Sequence, residues 1–251
     1  MIPENQITKV LLSAGLKDSP LRPTALYNEG WMLRLILDWC SKKATEEHPL
    51  YFLPAARWAS EGLLPSQFCA RSRKDPLSES RTHADGIIGH FSVGSVGTGD
   101  IALSQDAKQL IVVEAKMFSS LSAGTKNAPK FDQAARNVAC VAELIAQVEI
   151  PPERLSPLAF YVVAPQAQIE AGVFSEQLSP ASVKTQVQDR VKAYAGEKDK
   201  WYEDWFIPAL AVMKIESLAW EDLTAMAGSE YLNFYQQCLH FNRPHPYFAA
   251  K

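Results

Sequence analysis

Residues 109–117 read Gln-Leu-Ile-Val-Val-Glu-Ala-Lys-Met, and no other stretch constrains the fold as strongly. Four aliphatic side chains run together and three of them are β-branched, which favours an extended strand. Side chains alternate along a strand. Leu110, Val112, Glu114 and Lys116 therefore share one face, and Ile111, Val113, Ala115 and Met117 share the other. Both faces begin apolar, so this is a central strand covered on both sides. Only at its C-terminal end does one face become charged. Burying charge is costly unless the charges pair or hold a metal, and sites in open α/β sheets gather outside strand ends.

The rest of the chain supplies the covering layers. The spacing of Leu26, Leu33 and Leu37 predicts a helix over 24–43, with Thr24 as N-cap and Lys42 and Lys43 closing it. Residues 53–64, LPAARWASEGLL, read as a second, shorter helix, and the polar segment 69–82 as a surface connection. Strands are expected within 83–93, 99–104 and 109–117. The Gly-rich run 94–99 separates the first two, and a tight turn at 105–108 joins the last two as a hairpin. Phe131, Ala134, Val138, Val141, Ile145 and Val148 form one stripe of a helix over 130–148. Residues 157–165 read as a buried strand, 179–210 as helical, and 211–223 as a last strand leading into a final helix. The expected fold class is α/β: a mixed central β-sheet flanked by helices, with extra C-terminal helices. One domain is expected over 1–251, with a core at about 24–165 and a helical elaboration at about 166–251.

Composition enters as an exclusion. Among 251 residues, 47% are hydrophobic and the formal net charge is -3, so nucleic acid is not coated by bulk charge. A local basic groove stays open. Four scattered cysteines with no Cys-x-x-Cys pair point to a reducing compartment without disulfides or structural zinc, and Cys238, His240 and His245 match no zinc spacing. The N-terminus lacks a basic start followed by an apolar run. No apolar stretch approaches the roughly 20 residues of a membrane span. A cytoplasmic protein without a membrane partner is the expectation.

The charged strand end carries the chemistry. If the turn centres on Asp106 and Ala107, the hairpin places Asp100 across from about Val113, next to Glu114. Neighbouring strands lie about 4.8 Å apart, so the two carboxylates would meet with Lys116 beside them. Magnesium usually takes one or two carboxylates and leaves the remaining positions to water and substrate phosphate. Asp100, Glu114 and the carbonyl of Ala115 are the expected ligands of Mg (or Mn). Such a metal polarises a phosphodiester, and Lys116 orients water or stabilises charge growing on phosphate oxygens. Asp85, which opens an apolar run before Gly86, competes with Asp100 as a third acid; its alternative role is a turn residue.

Glu29 shares a helix face with Leu33, Ile36 and Cys40, which suits either a site partner or a first-turn dipole contact. Gln133 and Arg136 begin the helix after the charged strand and suit water or phosphate contacts, or solvent and an Asp132 pair. Lys126 and Lys130 lie on the intervening loop, and Arg71, Arg73, Lys74 and Arg81 form a second basic cluster. Both groups are candidates for nucleic-acid phosphates. An exposed Glu-x-Lys alone is ordinarily a solvated ion pair worth about 0–1 kcal/mol.

Asp100 followed by Glu114-Ala115-Lys116 resembles the PD-(D/E)xK nuclease superfamily over roughly residues 24–165, with Gly99 where the pattern has proline. The resemblance implies a restriction-endonuclease-like core and magnesium-dependent hydrolysis of phosphodiester bonds in DNA. It also implies Glu29 and Gln133 as the helix-borne acid and glutamine, and a homodimer where both strands are cut. The alternative is a catalytically inactive nuclease-fold module that binds nucleic acid or protein. A third reading makes Asp100 and Glu114 an acid/base pair on a sugar or nucleotide. Lys116 fits that poorly, since a cation holds both carboxylates ionised.

Overall fold

The aliphatic run lies at the centre of a five-stranded mixed sheet in the computed structural model, which describes residues 4–79, 81–94 and 99–243. The strands are β1 (Arg57–Leu64), β2 (Thr82–Gly89), β3 (Phe91–Val93), β4 (Ile101–Leu103), β5 (Leu110–Ala115), β6 (Leu158–Ala164) and β7 (Lys214–Ala219). The main sheet has the order β1-β2-β5-β6-β7, and β3 pairs with β4 in a separate ribbon. β2 runs antiparallel to both of its neighbours, β1 and β5, while β5, β6 and β7 run parallel. The helices are α1 (Glu4–Leu12), α2 (Glu29–Lys43), α3 (Gln133–Val148), α4 (Gln166–Glu170), α5 (Pro180–Lys192), α6 (Asp199–Trp201), α7 (Ile207–Val212), α8 (Trp220–Ala227) and α9 (Ser229–Asn242). A π-helical turn, Tyr202–Phe206, joins α6 to α7.

Every residue of β5 is buried. Leu110 and Val112 pack with Val138, Ile145 and Phe160 beneath α3, while Ile111 and Val113 pack with Leu33, Leu37, Tyr161 and Trp220 beneath α2 and α8. Fully burying one such aliphatic side chain contributes about 1.5–3 kcal/mol. The expected strand and crossover helix are both present, and α3 connects the parallel pair β5 and β6.

Four expectations are corrected. Residues 57–64 are the edge strand β1, not a helix. Seven register pairs with β2 override the helix preference of the Ala- and Leu-rich segment. α2 begins at Glu29, with Asn28 rather than Thr24 as N-cap; the Asn28 side chain accepts from the Trp31 N–H at 2.9 Å. Residues 101–103 do not form a hairpin with β5. β4 returns to pair with β3, and the neighbours of β5 are β2 and β6. The main sheet also extends beyond 165, because β7 adds a fifth strand against β6. The Gly-rich separator falls partly outside the described residues, at 95–98, as does His245.

β1 and β2 change faces together. Ser60 accepts from Arg34 of α2, and a Cβ on Gly86 would press on Leu33 and Leu37. Two residues along each strand, a Cβ on Gly62 would instead meet Ile87 and Ile101 of the opposite core, which Ala84 also joins. Glu61, at φ +56°, makes the switch in β1. It lies between the register pairs Ser60↔Gly86 and Gly62↔Ala84, level with Asp85. A left-handed glutamate within a strand is strained, and such strain commonly re-aims side chains beside sites.

Where β2 leaves the sheet, Gly89 passes so close to its neighbour that a Cβ would lie 2.4 Å from the Gln109 carbonyl oxygen. Backbone cannot yield as a flexible side chain does. Gly89→Ala is expected to destabilise the chain by about 1–3 kcal/mol, read as a lower urea midpoint at unchanged slope.

Candidate active site

The ladder between β2 and β5 runs from Gly89↔Leu110 to Gly86↔Val113 and then stops. Beyond it, a side chain takes over a backbone role: Asp85 Oδ2 accepts the Ala115 N–H at 2.8 Å. Asp85 is thereby held in the opening between two central strands, next to Glu114. The acid beside Glu114 is Asp85, not Asp100.

Asp100 bridges to Leu63 on the outer side of β1, where Leu63 N–H donates to the Gly99 carbonyl at 2.8 Å. β1 and β2 both stand between it and β5. Three strand spacings put Asp100 about 14 Å from the Glu114 strand. It lines a separate cleft with Leu64, Arg81 and Ile101. The physical reason is the β3–β4 ribbon, which carries Asp100 away from β5.

Glu114 is 3% exposed at its side chain and Lys116 13%. Lys116 Nζ donates to Glu114 Oε1 at 2.7 Å, and Gln133 Nε2 donates to the same oxygen. Glu114 Oε2 is buried without a hydrogen-bond partner. Burial first, and then the nearby Asp85 charge, push the Glu114 carboxyl up to about 7, with Lys116 opposing both. A buried carboxylate oxygen left unsatisfied beside a second carboxylate is a place prepared for a positive group.

Gln133 is positioned by the start of α3. Asp132 caps the helix by accepting the Ala135 N–H at 2.9 Å, and Gln186 of α5 brackets Asp132 from both sides. The Ser122 N–H donates to Gln133 Oε1 at 3.2 Å, so the glutamine links the 118–132 loop to Glu114. The N-terminal end of α3 also favours negative charge at Glu114. Lys116 is held through its main chain: its N–H donates to Val163 at 2.8 Å, and its carbonyl accepts from Trp220 Nε1 at 2.8 Å.

The remaining candidates divide. Ala115 belongs to the site through its N–H. Glu29 lies in the first turn of α2, on the layer opposite α3. Its charge bears on Cys238 of α9, whose thiol is pushed up to about 12, chiefly by burial and then by Glu29. Lys116 and Gln133 donate to Glu114, whose carboxyl also meets that of Asp85, and Glu29 is not among these contacts. Arg136 donates to Ser122 Oγ at 2.8 Å and acts electrostatically on Glu79, while the Asp132 carboxylate is taken by Ala135 and Gln186. Arg136 thus stands behind the loop, one turn from Gln133.

Lys126 and Lys130 are exposed on that loop, and Lys130 lines an open groove with Leu121, Asp132 and Gln186. Arg71 is committed elsewhere. It pairs with Asp75 at 2.9 Å and Glu197 at 2.8 Å and lies 4.8 Å over the Tyr194 ring, which ties the 69–82 segment to the C-terminal helices. Arg73 and Lys74 are exposed.

Asp85 was legible in the sequence as a competitor, because it too precedes an apolar run. Trp220 carried no such signal, since an isolated tryptophan reads as core. Among the described residues no group of three or more His, Cys, Asp and Glu is gathered to hold a metal. Among the described residues no helix is long and apolar enough to cross a membrane. Comparison with protein-family models, curated proteins and solved structures found no match to this chain.

Proposed function

We propose that this chain is a magnesium-dependent nuclease that hydrolyses phosphodiester bonds in DNA. One observation carries the reading: a buried carboxylate, Glu114, has one oxygen on Lys116 and Gln133 and the other without a partner, beside Asp85, where two central strands part. The α/β order of three antiparallel and then parallel strands agrees with a restriction-endonuclease-like core, with Asp85 as the first acid of the PD-(D/E)xK pattern. Asp85 and Glu114 would hold Mg or Mn. When bound, the ion supplies Lewis-acid activation of phosphate and water.

The protein's own groups do the rest. Gln133 fixes the orientation of Glu114. Lys116, largely buried and hydrogen-bonded to Glu114, holds an ammonium where negative charge grows on the phosphorus oxygens. Lys126 and Lys130 lie on the same loop as Ser122 and suit sequence-independent backbone contacts. The net charge of -3 confines nucleic-acid attraction to this local surface.

The test is cleavage of plasmid and single-stranded DNA with Mg or Mn. Activity should vanish with chelator, and Lys116→Ala should lower it by roughly 10²- to 10³-fold at unchanged far-UV circular dichroism. Retention of DNA binding with neither cleavage nor a metal-induced thermal shift would instead establish a catalytically inactive nuclease-fold module.

A further inference from the structure

We infer that Trp220, from the C-terminal part of the chain, is a positioning residue for Lys116; the inference rests on the nuclease reading above. The parallel ladder of β5 with β6 ends at Ala115↔Val163, and the Lys116 N–H makes one more bond to the Val163 carbonyl at 2.8 Å. At this strand end the Lys116 carbonyl takes its donor from a side chain. Trp220 Nε1 donates to it at 2.8 Å, across 104 positions of sequence.

The donor is itself fixed. Trp220 is fully buried and follows directly on β7, whose last residue, Ala219, pairs with Ala164 of β6. Its helix is anchored through Glu221, which accepts the Gln166 N–H at 2.9 Å and the Tyr235 hydroxyl at 2.8 Å. Both polar main-chain groups of Lys116 are therefore tied to β6 and α8. Its side chain can turn back to place Nζ 2.7 Å from Glu114 Oε1 without the backbone shifting.

Loss of the indole donor leaves a carbonyl without its bond at the end of β5 and lets the lysine backbone relax. A misplacement of about 1 Å at a reacting centre costs on the order of a hundredfold in rate. Substrate affinity, which rests on other surfaces, is untouched.

Trp220→Phe separates this role from general stability when set beside Gly89→Ala. Gly89 pairs with Leu110 at the end of the β2–β5 ladder away from Asp85, so its replacement lowers stability without removing any bond to Lys116. The readouts are kcat and KM for a DNA oligonucleotide with magnesium, alongside thermal midpoints. The expected result for Trp220→Phe is a kcat lowered by about 10- to 100-fold at unchanged KM. Gly89→Ala should lower the midpoint and keep kcat near wild type.

If Trp220→Phe does not fold, the shape-matched analogue β-(3-benzothienyl)alanine, introduced at position 220 by amber suppression, removes the donor alone. The same fall in kcat supports the role. Equal kcat losses in Trp220→Phe and Gly89→Ala, or a donor-free variant that cuts at the wild-type rate, overturn it and leave the nuclease reading intact. Wild-type chain that cuts no DNA overturns the nuclease reading and this role with it.

Discussion

Asp85→Asn is expected to abolish metal-dependent DNA cleavage, by roughly a thousandfold or more, while Asp100→Asn leaves it at the wild-type level. The two aspartates look alike in sequence, since each opens a short apolar run. Their surroundings differ. Asp85 occupies the opening between β2 and β5 and accepts the N–H of Ala115, the residue between Glu114 and Lys116. Asp100 lies beyond β1, against Leu63. An asparagine at 85 retains the hydrogen bond to Ala115 through its carbonyl, so the fold should stand while one of two anionic ligands is lost. Calorimetry with Mn should show the same division: binding weakened by Asp85→Asn and unaffected by Asp100→Asn. Equal activity in the Asp85→Asn variant, or loss in the Asp100→Asn variant, would place the site elsewhere.

The second large effect is on stability and concerns the metal-free protein. Glu114 is pushed from an ordinary 4.5 up to about 7, first by burial and then by Asp85. The sign follows from proton linkage. Between these values the folded chain holds a proton that the unfolded chain has released, so stability falls as pH rises. The favourable contribution is complete below about pH 4.5 and is lost as pH passes through 7.

Glu114→Gln removes the titrating group. Urea melts in chelator from pH 5 to 8 should show wild type losing stability relative to this variant, with the difference levelling off above about pH 8. Magnesium should restore stability to wild type at pH 8 and do little at pH 5, where the proton competes for the same oxygen. Parallel pH curves for wild type and Glu114→Gln would show that the carboxylate is not held at this cost.

Much of the framework was legible because it rests on local pattern. The run Leu110–Val113 could bury both faces only inside a sheet, and the stripe from Phe131 to Ile145 marked the helix that covers it. Glu114 and Lys116 followed from that framework, since their spacing from the run sets their height in the sheet, while Gln133 entered through the family resemblance; the structure joins all three by hydrogen bonds. Residues 57–64 misled because Ala and Leu favour helix locally, whereas the pairing of Arg57 with Gly89 and Leu64 with Thr82 is a long-range fact.

The same distinction separates the two aspartates. By itself the sequence determined that a central strand ends in a buried charge, and that an acid opening a neighbouring apolar run would stand near it. Which acid that is, and that Trp220 ties down the lysine from more than a hundred residues away, only the tertiary structure decided. Side-chain periodicity is a property of a few consecutive residues. The choice of strand partner depends on how the whole sheet buries its faces, and the competing pairings of β4 with β3 or with β5 look equivalent until that burial is complete.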